Sequence, residues 1–139
     1  MQREAGYSKV EYLLAVALIG LVATLTFSNY QNFVKNSYDQ IAESDYLNLK
    51  TVVFNALASP NAPLRFIFTN KRGPVSLPSP LNSEAVSKDI EVSVFHQTVR
   101  SRLTRPTTAT TMLVYHVGGS KKFSYSEVNG VVTEQVIER

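Results

Sequence analysis

The chain has 139 residues, which is enough for one domain or for one domain with an extended element. Apolar residues make up 44% of it, close to the globular average, and a net charge of +3 is far from that of a dedicated nucleic-acid-binding protein. The absence of cysteine excludes disulfide bonds and thiolate sites.

The apolar residues are concentrated near the N-terminus. From Tyr12 to Val34 no residue carries a formal charge, and a helix of that length is roughly 34 Å long, enough to cross the hydrocarbon core of a bilayer. The run therefore predicts one membrane-spanning helix. An ordinary cleaved signal is the alternative, but the opening residues are nearly neutral because Arg3 and Glu4 cancel, and no small-residue cleavage site follows the run.

Glu11 is a lone acid at the inner edge of this run. A carboxylate beside a membrane span costs a few kcal/mol unless it lies near the interface or is paired. Two simple explanations are a position at headgroup depth and a favourable interaction with the helix dipole in the first turn, typically worth ~0.3–1 kcal/mol. Whether Glu11 has a role beyond these local effects therefore depends on the residues around it.

That surrounding sequence has a distinctive order. A short leader ends in Gly6, the aromatic Tyr7 follows, Glu11 stands five residues beyond the glycine, and the apolar helix comes next. This segment resembles the processing and assembly segment of type IV pilins. Gly20 and Tyr30 also fall where that family commonly has a glycine and a tyrosine.

The resemblance implies specific roles for three residues. A prepilin peptidase and methylase would remove residues 1–6 by cutting after Gly6 and would then methylate the new amino terminus at Tyr7. Glu11 would meet the amino terminus of a neighbouring subunit during assembly. An α-amino group, with a pKa of about 8, is largely cationic at pH 7, and a buried charge that loses its partner costs ~3–5 kcal/mol. Glu11 would thus select the axial register.

Two residues depart from the usual family pattern. Lys9 replaces a residue that is normally apolar and places a second cation within reach of Glu11 or of a neighbour's glutamate, so it is included with Glu11 as a candidate assembly residue. Ser28 stands where many members have proline, so the helix lacks a built-in break at that point.

Beyond the uncharged run the helix becomes amphipathic. One stripe predicted to pack on the chain's own globular part comprises Tyr38, Ile41, Ala42, Leu49, Val52, Val53 and Ala56. Asp39 and Glu43 are among the residues expected on the other faces, and Asp45 interrupts the stripe. Because Pro60 disfavours helix at the residue before it, the helix is predicted to run from about Ser8 to about Ala58.

The outer part of the helix is similar to the stems of pilins from metal-respiring bacteria, in the segments Tyr30–Tyr38 and Ser44–Thr51. Filaments of that group have been discussed as electron carriers. The aromatic candidates for such stacking are Phe27, Tyr30, Phe33, Tyr38 and Tyr46. Ordinary aromatic packing is the favoured alternative, and the sequence predicts no cofactor.

Residues 59–139 are predicted to form a β-rich globular domain. Alternation in Ile90–Val94 indicates a half-buried strand, and three further strands are expected at Met112–Val117, Lys122–Val128 and Val131–Ile137, with another at Leu64–Thr69. Asn129-Gly130 is a strong hairpin signal. The predicted fold is therefore α+β: a long N-terminal helix packed against an antiparallel sheet of four to five strands, as in pilins.

Two loops are expected between these strands, at Asn70–Lys88 and at Arg100–Thr111. A binding role for DNA or another polyanion would use Arg100, Arg102, Arg105, Lys121 and Lys122. A solvated charged loop is the simpler interpretation. His96 is expected to be a satisfied core or edge histidine, and the sequence predicts neither a catalytic site nor a metal site.

These patterns favour a structural subunit of a type IV pilus. Its partners would be the inner membrane before assembly, the pilus assembly machinery, and other copies of the chain in an extracellular filament. A secretion-system pseudopilin or a minor pilin has the same architecture and is the first alternative. A single-pass anchored protein that binds DNA or a polyanion is the second, and an anchored enzyme is a distant third.

Overall fold

The computed structural model describes residues 8–79, 81, 85–100 and 105–139. It divides the chain into two compact units, Met1–Val34 and Lys35–Arg139. Helix α1, Lys9–Ala58, contributes to both units. The prediction of one helix ending at Ala58, just before Ser59 and Pro60, is confirmed.

The second unit contains a five-stranded antiparallel sheet and a small two-stranded sheet. The strands are β1 Arg65–Arg72, β2 Val75–Ser76, β3 Ala85–Val86, β4 Ile90–Val99, β5 Thr107–His116, β6 Lys121–Val128 and β7 Val131–Glu138. The large sheet has the order β1-β4-β5-β6-β7, and β2 pairs with β3. The α+β class and the antiparallel sheet are confirmed.

The core of this unit lies between the outer half of α1 and one face of the large sheet. The helix supplies Ala42, Tyr46, Leu49 and Val53, and the sheet face supplies Phe68, Val92, Val94, Met112, Val114, Phe123 and Tyr125. Each valine, leucine, methionine or phenylalanine side chain in this set contributes roughly 1.5–3 kcal/mol when it leaves water. The predicted stripe is largely confirmed, although Ile41 is 41% exposed.

Two predicted loops are wrong in part. Thr107–Thr111 belongs to β5, because each of these residues pairs with β4 in a continuous antiparallel ladder. Within Asn70–Lys88, the first residues extend β1 and a short hairpin forms between β2 and β3. Pairing with a neighbouring strand extends β4 and β5 beyond the segments in which apolar alternation is visible, a tertiary effect that local sequence does not encode.

The Asn129-Gly130 hairpin is confirmed. Both residues have positive φ, 53° and 83°, as a two-residue turn with the twist of the flanking strands requires. The Asn129 side-chain oxygen accepts a hydrogen bond from the Thr108 backbone N–H at 3.1 Å. The turn thereby also ties β6 and β7 to the first residues of β5.

Candidate functional site

The candidate site in the first unit begins at the N-terminal end of α1. The Ser8 backbone N–H donates to Glu11 Oε2 at 2.7 Å, and the Glu11 N–H donates to Ser8 Oγ at 3.2 Å. This reciprocal pair is a capping box, which satisfies two backbone donors that the first turn of a helix leaves unpaired. The spacing Ser-x-x-Glu was readable in the sequence, so capping is a third local explanation for Glu11.

Glu11 nevertheless retains capacity for another donor. A carboxylate offers about four acceptor positions on two oxygens, and the capping bond uses only Oε2. Ion pairs among the described residues join Lys50 to Glu134 and Arg72 to Asp89. Lys9, an exposed residue, is therefore not in an ion pair with Glu11 within that part of the chain. Gly6 and Tyr7 lie outside the described residues.

The apolar part of α1 in the first unit presents its side chains outward on every side. Thirteen large apolar side chains between Val10 and Phe33 are exposed, each by half or more of its surface. Two hydroxyls in this segment are satisfied by the helix itself, since Thr24 Oγ1 donates to the Gly20 carbonyl and Thr26 Oγ1 to the Val22 carbonyl, both at 2.8 Å. The helix is long and apolar enough to cross a membrane.

The aromatic candidates fall into two groups. Phe27, Tyr30 and Phe33 are exposed on the first unit. Tyr38 instead stacks on His116 with ring centroids 4.1 Å apart, and Tyr46 stacks on Phe123 at 5.8 Å. Tyr38 and Tyr46 thus act as packing groups between helix and sheet.

Tyr46 is also held in an unusual electrostatic position. Its hydroxyl is buried and has no hydrogen-bond partner of normal geometry among the described residues. Burial raises the pKa of Tyr46 to about 12, and the negative charge of nearby Glu134 adds to the shift. The hydroxyl therefore stays protonated at physiological pH.

Asp39 is a residue whose role the sequence analysis missed. It was expected on a polar face of the helix, but it is 4% exposed and faces the β5–β6 turn. Asp39 Oδ1 accepts from the Ser120 N–H at 2.8 Å and the Lys121 N–H at 3.0 Å, and Oδ2 accepts from Ser120 Oγ at 2.6 Å. The expectation was wrong because a helix pattern does not show which backbone donors another element presents.

Asp45 forms a second anchor of the same kind. Its carboxylate accepts hydrogen bonds from the Ser87 N–H at 2.9 Å and from Ser87 Oγ at 3.0 Å. The acid that interrupts the apolar stripe therefore ties α1 to the segment between β3 and β4. Asp39 and Asp45 thus hold the β5–β6 turn and the segment between β3 and β4, which lie at the same end of the sheet.

The candidate polyanion-binding residues do not form one patch. Arg100 follows β4 and Arg105 precedes β5, at the end of the sheet where Val99 pairs with Thr107. Lys121 and Lys122 begin β6 at the opposite end. Arg102 lies outside the described residues.

Lys122 has a local partner. Its Nζ lies 4.9 Å from the centroid of the Tyr115 ring, and the Arg139 guanidinium lies 5.0 Å from the same centroid. These distances are typical of cation–π contacts. Tyr115 also donates a hydrogen bond to Glu91, so an acid accompanies the two cations. Side chains of both charges therefore surround Tyr115.

A cavity of about 400 Å³ lies beside the end of α1, and His96 is among the residues that line it. His96 Nδ1 lies 2.9 Å from Thr110 Oγ1, and Nε2 lies 3.3 Å from Thr98 Oγ1. Burial lowers the pKa of His96 from its usual 6.5, against a weaker opposing effect of the Glu127 charge. With both ring nitrogens hydrogen-bonded, His96 is confirmed as a satisfied core histidine.

Among the residues that the structure describes, no group of three histidine or acidic side chains could hold a metal ion. His116, the second histidine, packs on Tyr38 and accepts a hydrogen bond from the Gly118 N–H at 3.0 Å through Nδ1.

Comparison with known proteins adds no assignment to this geometry. No model of a known protein family matches the chain, and no solved structure matches it. The chain's functional features lie in its two units: an exposed apolar helix with a lone acid at its start, and a sheet domain built on the outer half of the same helix.

Proposed function

We propose that this chain is the structural subunit of a surface filament of the type IV pilin kind. The observation that carries the proposal is the exposed apolar surface of α1 between Val10 and Tyr30. A helix that is apolar on every side is stable in lipid or among similar helices, but not in water. The same segment would serve first as an inner-membrane anchor and afterwards as the filament core.

Glu11, at the N-terminal end of this apolar segment, also supports the proposal. It is the acid that follows Gly6 by five residues, and its capping bond leaves Oε1 available for a cation supplied by a neighbouring copy. A new amino terminus at Tyr7 would be such a cation. Lys9 of a neighbour would be a competing one, since it is exposed next to the same turn.

The globular unit supports a structural role. His96 is engaged by two threonine hydroxyls, and the basic side chains are divided between opposite ends of the sheet. This division weakens the alternative of an anchored polyanion-binding protein. A secretion pseudopilin or a minor pilin shares every feature above and differs in whether the chain makes up the bulk of surface fibres.

The decisive experiment is the mass of the protein taken from sheared surface fibres. The expected polypeptide begins at Tyr7 and carries one methyl group, whereas Gly6→Val leaves an uncut chain in the membrane. Gly20→Ala serves as the matched glycine control and is cut normally. An intact Met1 terminus on fibre-borne protein would overturn the processing proposal.

The composition of the fibres distinguishes a major pilin from a minor pilin or a secretion pseudopilin. We expect this chain to be the main polypeptide of purified fibres. Fibres that lack it, in cells whose protein secretion fails when the chain is removed, would instead establish the pseudopilin alternative.

A further inference from the structure

The large sheet has two edges, formed by β1 and β7. Every residue of β7 is exposed, and its register with β6 continues without a bulge from Val131 to Glu138. No strand among the described residues pairs with the outer side of β7. Such a regular edge, with Val131, Val132, Val136 and Ile137 exposed, is a ready template for another strand.

The two edge strands carry opposite charges. β7 contains Glu134 and Glu138 and no cation, whereas β1 contains Arg65, Lys71 and Arg72 and no acid. Glu134 is paired with Lys50, and Arg72 is paired with Asp89. Arg65, Lys71 and Glu138 remain outside the ion pairs of the described residues, and all three are exposed.

These charges select the partner edge. Two copies of β7 placed side by side would bring only acids together, and like charges on adjacent strands are destabilising. A copy of β1 beside β7 would bring cations to acids. Charge complementarity therefore favours pairing between unlike edges of two copies over pairing between like edges.

The direction of the strands makes this pairing parallel. Each of the four steps from β1 to β7 is antiparallel, so β1 and β7 run in the same direction. Lys71 near the end of β1 and Glu138 at the end of β7 consequently lie at the same end of the sheet. Two copies in the same orientation, side by side, would place Glu138 of one beside Lys71 of the next.

We propose that the outer edge of β7 pairs in parallel with the outer edge of β1 of a second copy of this chain. This contact is head-to-tail, so each copy keeps one free β7 and one free β1, and further copies can add with the same orientation. Main-chain hydrogen bonds would supply the affinity, as in other cases of strand addition. The inference goes beyond the proposed function because it needs neither leader cleavage nor the apolar helix.

Cysteine cross-linking in the full-length protein tests the pairing, because the natural chain has no cysteine. With Lys71 aligned beside Glu138, and with the one extra residue that β1 carries between Phe68 and Lys71, Ile67 lies beside Gln135 of the other copy, and both positions are exposed. The double variant Ile67→Cys with Gln135→Cys should give a ladder of dimers, trimers and larger species after oxidation of intact cells. No ladder from this variant in cells that still make filaments would overturn the inference.

Two controls separate this geometry from accidental contact. Ile67→Cys combined with Ser124→Cys, which moves the second cysteine one strand inward to the β6 partner of Gln135, should give no ladder. Gln135→Cys alone should remain monomeric, and an equally strong dimer from it would show that β7 pairs with itself. A ladder in membranes of cells without filaments would support the edge pairing while contradicting the proposed filament function.

A charge swap tests the choice of partner. In the cross-linking background, Glu138→Lys should reduce the ladder because it places a cation beside Lys71, and adding Lys71→Glu should restore it. A ladder that is unchanged by Glu138→Lys, or not restored by the second change, would contradict pairing between the acidic and basic edges.

Discussion

The carboxylate of Asp39 on α1 accepts three hydrogen bonds from Ser120 and Lys121 in the β5–β6 turn, one of them at 2.6 Å from the Ser120 hydroxyl. Hydrogen bonds to a charged acceptor are roughly twice as strong as those between neutral groups. This contact sets where the outer half of the helix lies along the sheet. Tyr38 stacking on His116 reinforces it from the preceding helix residue.

Asp39→Ala should therefore destabilise the globular unit. The substitution leaves two backbone N–H groups and a hydroxyl without their acceptor, and we expect the free energy of unfolding to fall by about 2–3 kcal/mol. Urea denaturation of the full chain in detergent micelles, followed by near-ultraviolet circular dichroism, measures the change. Glu43→Ala, an exposed acid one turn along the same helix, should change stability by less than about 0.5 kcal/mol.

Gly119→Ala should destabilise the same contact by crowding. A Cβ at residue 119 would lie 2.4 Å from Asp39 Oδ1, too close for any real Cβ contact, so the carboxylate or the turn must move. We expect a loss of about 1–3 kcal/mol in the same denaturation assay. Gly20→Ala is the control, because a Cβ at that position meets nothing within 4 Å. Equal effects of the two substitutions would contradict the crowding explanation.

The stability of the globular unit should fall as pH decreases below about 6.5, the usual pKa of histidine. Burial lowers the pKa of His96 in the folded chain, so below pH 6.5 the unfolded chain binds the proton more readily. Stability therefore declines until the pH passes below the lowered pKa of the folded state. His96→Gln should flatten this slope relative to the natural chain, and identical slopes for the two proteins would show that His96 is not the group responsible.

The two roles of Glu11 can be separated by substitutions at both ends of the capping box. Ser8→Ala removes one capping acceptor but keeps the carboxylate charge, so filaments should still form. Glu11→Gln keeps an acceptor for the Ser8 N–H but removes the charge, so the chain should be processed and yet assemble poorly. Electron microscopy and the yield of sheared fibres measure assembly. Normal fibres from Glu11→Gln would refute the pairing role and leave capping as the function of this residue.

The sequence by itself determined the parts of this protein that depend on local pattern. The uncharged run predicts a membrane-length helix because no residue in it carries a formal charge and most are apolar, and Pro60 predicts the end of the helix because it restricts the residue before it. Asn129-Gly130 predicts a tight hairpin because both residues tolerate positive φ. The order Gly6, Tyr7 and Glu11 suggested the filament hypothesis, which remains a proposal, and the spacing of Ser8 and Glu11 is also that of a capping box.

Only the tertiary structure decided which polar residues meet across the fold. Asp39 appeared to be a surface residue because helix periodicity does not show that the β5–β6 turn presents unpaired N–H donors to it. Arg100 and Lys121 looked like parts of one basic surface until strand order placed them at opposite ends of the sheet. In the same way, only the strand order shows that the oppositely charged strands β1 and β7 form the two edges of the sheet.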